Sequence, residues 1–120
     1  HASSVLYNLH RAKGFMGDSK TIILVEGPGD VMRMWEAGIK NVVAVLGTGF
    51  GKHHRTLLHK IGCSRIICVF DNDEPGQKAK KSVEKTCSEY FTFANVELES
   101  GKDPGDHDPS QLKLIFKEYV

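Results

Sequence analysis

The ten residues Thr21–Asp30, TIILVEGPGD, constrain the fold more than any other part of the chain. Ile22 to Val25 form a short apolar run that ends on a carboxylate, Glu26, and then on a Gly-Pro-Gly turn closed by Asp30. A β-branched run bounded by Gly and Pro is expected to be a buried strand. Strands covered on both faces belong mostly to parallel sheets. The pattern returns at Arg65–Phe70, RIICVF, which leads into Asp71-Asn72-Asp73. Each strand would deliver acid at its carboxyl end, where open α/β sheets place their ligands. Glu26, Asp71 and Asp73 gathered in one crevice repel one another unless a cation joins them or a proton is shared. Oxygen donors without imidazole or thiolate suit a hard cation, and Mg²⁺ is the usual one.

Around these strands the chain alternates strand and helix. Residues 3–14 place Val5, Leu6, Leu9 and Ala12 at a spacing that predicts a short helix stopped by Gly14. Gly29–Ala37 reads as a helix with Val31, Met34 and Trp35 inward and Gly38 as its C-cap. At its start, Asp30 can cap the helix or turn its carboxylate to the metal crevice. The second strand, Asn41–Leu46, runs into Gly47-Thr48-Gly49-Phe50-Gly51-Lys52. Alternate glycines bring backbone N–H groups within reach of an anion, ahead of a helix dipole. The same loop also reads as a plain strand-to-helix turn, because its spacing is neither that of a P-loop nor that of a dinucleotide fingerprint.

Residues 53–61, HHRTLLHKI, predict a helix with Leu57, Leu58 and Ile61 inward. Its His and Arg residues make a basic patch, either a solvated face or a rail for a phosphate backbone. A helix from Pro75 to Cys87 would turn Ala79, Val83 and Cys87 inward, with Lys78, Lys80, Lys81 and Lys85 elsewhere. Tyr90–Leu98 reads as a fourth strand, followed by an acidic loop that contains Lys102 and Asp103. A last helix starts at Asp108-Pro109-Ser110, with Leu112, Ile115, Phe116 and Tyr119 as its apolar face. The expected fold class is a small doubly wound α/β domain, a mainly parallel four-stranded sheet with helices on both faces. Residues 1–20 would be a helical extension, 21–107 the metal-binding domain, and 108–120 a helix packed on it.

A chain of 120 residues has the length of one domain. A net charge of +1 argues against a strongly basic surface, which a protein whose acids hold metal does not need. No apolar run approaches the ~20 residues of a membrane span. No signal-peptide pattern opens the chain, so the expected compartment is the cytoplasm. Cys63, Cys68 and Cys87 are odd in number and lack CxxC spacing, which predicts buried free thiols. The opening His1, in place of Met, fits an excised segment with His1 a tag remnant.

A receiver domain would carry its acidic pair before the phosphorylated Asp, and a haloacid-dehalogenase-like phosphatase needs Asp-x-Asp on its first strand. Here Glu26 comes first and the Asp pair last. That layout resembles the Toprim domain of primases, topoisomerases, nucleases and recombination mediators. Further runs narrow the resemblance to DnaG-type primases. They are Val25-Glu26-Gly27 with Asp30, Gly38-Ile39, Gly47-Thr48, Phe70-Asp71-x-Asp73-Glu74-x-Gly76-x-Lys78-Ala79 and Gly101-Lys102-Asp103-Pro104. Leu6-Tyr7-Asn8-Leu9 with Arg11-Ala12-Lys13 is similar to the segment before this domain in those primases. Pro28, Asn72 and the run Thr48–His54 depart from the family pattern, and one extra residue precedes Asp106.

The resemblance implies two or more Mg²⁺ or Mn²⁺ ions at Glu26, Asp71 and Asp73, completed by Asp30 and Asp103. It implies nucleotidyl transfer of nucleoside triphosphates into RNA primers on single-stranded DNA, beside a replicative helicase and away from membranes. Gly47, Thr48, Lys52, Arg55 and Lys102 would meet the triphosphate. The isolated domain would synthesise little primer, because template binding and initiation belong to other parts of such enzymes. A Toprim nuclease with Glu26 as general base, and a non-catalytic Toprim module that binds DNA or a partner, are the alternatives.

Overall fold

The computed structural model describes residues 6–45, 50–70, 73–98 and 104–119. β2 (Thr21–Val25) is the central strand of a five-stranded sheet, and every residue of it is fully buried. β3 (Val42–Val45) lies parallel on one side, with Ile23 beside Val42. β4 (Arg65–Cys68) lies parallel on the other, with Ile23 beside Ile67. β5 (Thr92–Asn95) continues the sheet parallel to β4. β1 (Leu6–Tyr7) closes the far edge, antiparallel to β3 through Leu6–Val45 and Tyr7–Ala44. The order is therefore β1-β3-β2-β4-β5.

The helices are α1 (Leu9–Ala12), α2 (Pro28–Glu36), α3 (Lys52–Lys60), α4 (Glu74–Cys87) and α5 (Pro109–Ile115). Because successive strand residues face opposite ways, the central strand feeds two cores. Ile22, Leu24, Ile66 and Cys68 pack with Ala12, Leu58, Val83 and Cys87, on the side of α1, α3 and α4. Ile23, Val25, Val42 and Ile67 pack with Val31, Met34, Leu112 and Phe116, on the side of α2 and α5. Burying each such aliphatic side chain contributes about 1.5–3 kcal/mol. The α/β class with a mainly parallel sheet stands as expected, with one strand more than the four foreseen.

That strand corrects the reading of residues 3–14. Leu6 and Tyr7 are extended, and Asn8 turns the chain through a left-handed conformation, φ 73°, before α1 begins. Asn tolerates that region better than most residues, and its Nδ2 donates to the Val42 carbonyl at 3.1 Å. Helical spacing gave way here to pairing with β3. On α4 the inward face runs through Gly76, Lys80, Val83 and Cys87, so Lys80, expected outside, is inside. Trp35, expected inward, is half-buried and packs against the α2 and α5 core, edge-on to Phe15 with the Lys40 ammonium over its ring.

All three cysteines are buried and free. Burial pushes the Cys63 thiol up from 9.0 to about 11 and Cys87 up to about 12, and raises Cys68 as well. In the unfolded chain these thiols ionise near their ordinary value, so above pH 9 the folded state holds more protons. Stability is then expected to fall as pH rises from 9 toward 11. Chemical denaturation across that range measures the fall. At pH 8 the native thiols should react with Ellman's reagent only as fast as the protein unfolds, and prompt reaction of all three would contradict their burial.

Candidate metal and nucleotide site

The topology chooses the site. From β2 the chain crosses by α2, on one face, to β3; it then crosses by α3, on the other face, to β4. The strand order reverses between β2 and β4, and open α/β sheets bind ligands outside the carboxyl ends of strands at such a reversal. Glu26 is the first residue past β2, and Asp73 follows β4 and begins α4. The register Leu24–Cys68, extended by the Val69 N–H bond to the Leu24 carbonyl at 2.8 Å, keeps both strand ends together. Of the carboxylates foreseen from the sequence, Glu26 thus leaves β2 at this edge, and Asp73 begins the helix that follows the neighbouring parallel strand β4. Asp71 and Asp103 lie outside the described residues, as do Gly47, Thr48 and Lys102.

Local capping orients the acids. Asp73 is the N-cap of α4, and the Gly76 N–H donates to its Oδ1 at 2.7 Å. Such a cap satisfies one of the orphan donors of the first helical turn. Oδ2 of Asp73 makes no hydrogen bond among the described residues, and the side chain is exposed. Asp30 sits in the first turn of α2, where its Oδ2 accepts the Gly27 N–H at 3.2 Å. It is the reach-back half of a capping box, because Gly27 has no side chain to return the bond. The same third-position device recurs with His54 Nδ1, which accepts the Gly51 N–H at 3.0 Å, and with Gln111. Asp30 therefore caps its helix, one of the two roles its position allowed. The turn Pro104–Asp106, which follows Asp103, packs against α2.

The basic candidates divide. Lys52 opens α3 and is exposed, beside the loop of alternate glycines. Arg55 is turned elsewhere: its Nη1 donates to the Thr86 carbonyl at 3.2 Å, and its guanidinium lies 4.2 Å from the Tyr90 ring centre. Thr86 is thirteen residues beyond Asp73, about 20 Å along a helix axis. The structure does not bring Arg55 to the acids. Of the adjacent histidines, His53 is exposed and His54 is buried under the Phe50 ring, so they share no face.

No three potential ligands gather among the described residues. The donor chemistry of Glu26 and Asp73 nonetheless fits a hard cation, because both are carboxylates and Asp73 keeps one oxygen beyond its cap. Lys80 is a further charged group that the sequence reading missed. It sits three residues before Val83 and seven before Cys87, a core position by helical spacing, and that spacing was the available signal.

The Toprim-like family matches residues 23–107. The DNA primase of Staphylococcus epidermidis is 36% identical over 117 residues, which are 97% of this chain and 19% of that protein. The structure is similar to that of Aquifex aeolicus primase, zinc-binding and RNA polymerase domains, at TM-score 0.83 and 29% identity, covering 100% of this chain and 31% of that one. It is also similar to the RNA polymerase domain of Mycobacterium tuberculosis primase DnaG in complex with double-stranded DNA, at TM-score 0.78 and 28% identity over 96% of this chain and 39% of that one. The chain spans about a fifth of the length of the curated primases it matches. It belongs to the Toprim-like family, and its relatives there are DnaG-type DNA primases.

Proposed function

We propose that the chain is the metal-binding catalytic domain of a primase, transferring nucleotides from nucleoside triphosphates to the 3′-hydroxyl of an RNA primer on a DNA template. The observation that supports this reading is that Glu26 directly follows β2, and Asp73 caps the helix after β4, two neighbouring parallel strands between which the strand order reverses. Glu26, Asp71 and Asp73 would hold Mg²⁺ or Mn²⁺, with Asp30 and Asp103 at the margin. Bound divalent ions supply activation of the attacking hydroxyl and offset charge on the α-phosphate and departing pyrophosphate. Asp73 is held in place by the Gly76 N–H, so its second oxygen needs little reordering to meet a cation. Lys52, Lys102 and the amides around Gly47 and Thr48 would take the triphosphate, at the start of α3. Arg55, tied to α4, is left out of that set.

The relative in complex with double-stranded DNA supports a nucleic-acid partner, and the proposed reaction makes that partner a single-stranded DNA template with its RNA primer. A replicative helicase is the further partner proposed. No helix of the described residues is long and apolar enough to cross a membrane. The test is a pair of assays on the full-length protein with Mg²⁺: nucleoside triphosphate polymerisation on single-stranded DNA, and cleavage of plasmid DNA. Polymerisation without cleavage is expected. Cleavage without polymerisation would replace the primase reading with that of a Toprim nuclease.

A further inference from the structure

We propose that Lys80 is a built-in counter-cation of the candidate metal crevice, one that holds down its affinity for divalent ions; this rests on the metal-binding reading above. The Lys80 side chain is 6% exposed, and its Nζ is buried without a hydrogen bond among the described residues. A buried ammonium is costly unless negative potential compensates it. One source is Glu97, whose Oε1 is 3.7 Å away, just past the carboxyl end of β5. Glu97 is 64% exposed, and a solvated partner at that distance compensates weakly.

The carboxylate edge is the second source. Ile22 and Leu24 face the α3 and α4 side of the sheet, and Glu26 follows the end of that strand directly, at its carboxyl edge. Lys80 descends from α4 onto the same side, toward the carboxyl ends of β4 and β5. Cys68, at the end of β4, lies within reach of both charges. Burial is the main cause that raises its thiol; Lys80 lowers it and Glu26 raises it. The ammonium is shielded from solvent, so it does not touch a nucleotide phosphate; it acts through its field. A unit charge and a dication on the order of 10 Å apart, between protein and water dielectric, change a binding constant about tenfold.

The test is Mn²⁺ titration, followed by the electron paramagnetic resonance signal of the free ion, on the wild type and on Lys80→Met, Lys80→Gln and Lys78→Met. Methionine keeps an unbranched chain one atom shorter and removes its charge. Lys78 is on the same helix but 77% exposed, so its variant removes an equal charge from a solvated position. The two Lys80 variants are expected to bind Mn²⁺ about tenfold tighter. Lys78→Met should stay within about twofold of the wild type, its charge being screened. Far-UV circular dichroism checks folding, and the glutamine variant decides if the methionine variant does not fold. Unchanged affinity in the Lys80 variants overturns the proposal and leaves the metal site standing. A wild type that does not bind Mn²⁺ overturns both.

Discussion

Asp73→Asn is expected to lower primer synthesis by the full-length protein more than about 100-fold, beyond the range typical of an outer-shell change, while leaving the fold intact. The carboxylate has two separable duties. Its Oδ1 accepts the Gly76 N–H at 2.7 Å and caps α4, and an asparagine oxygen caps equally well. The other duty needs a formal negative charge for a divalent cation, which the amide lacks. Asp73→Ala removes both, so it should lose activity and also about 1 kcal/mol of stability in the absence of metal. Thermal unfolding in EDTA, read beside a polymerisation assay, separates the two. An active Asn variant would show that Asp73 is a helix cap and nothing more.

Phe116→Ala is expected to be the most damaging single change to stability, at about 3–5 kcal/mol. Total stabilities of such domains are about 5–15 kcal/mol, so a large part of the protein would unfold near physiological temperature. Phe116 is fully buried in the core beneath α2, directly after α5, and stands 6.4 Å ring to ring from Tyr119. Its removal also loosens a tie to the central strand. Asn41 Nδ2 donates to the Tyr119 carbonyl and to the Thr21 carbonyl, each at 3.0 Å. Leu114→Ala, at an exposed position on α5, should fall within about 0.5 kcal/mol of the wild type. Urea denaturation compares them. Equal effects would mean that α5 is not docked by its buried face.

The strands that matter most were legible because both neighbours of β2 are parallel and covered on both sides. Continuous apolar runs such as Ile22–Val25 and Ile66–Phe70 have few other destinations. Their ends were legible too, since Gly27-Pro28 and Asp71 to Pro75 cannot continue a strand. Leu6–Tyr7 was misread because two residues carry no period of their own, and the deciding partner, Val45, is far along the chain. The cue present in sequence was Asn8, a residue suited to the left-handed turn it makes. Lys80 was misplaced because charge was weighed above helical position, although Val83 and Cys87 fix the face it shares. Arg55 looked like a phosphate ligand by neighbourhood. Only the packing of α3 beside α4 reveals its bond to Thr86 and its stacking on Tyr90.

All of the functional account depends on Glu26 and the acids after β4 sharing a divalent ion. Diffraction from crystals soaked in MnCl₂, with data collected to maximise the manganese anomalous signal, tests this most directly. The account predicts an anomalous peak at the carboxyl ends of β2 and β4, within bonding distance of Glu26 and Asp73 oxygens, and its loss in Glu26→Gln. A map without a peak there, at millimolar Mn²⁺ and with both carboxylates ordered, would contradict it.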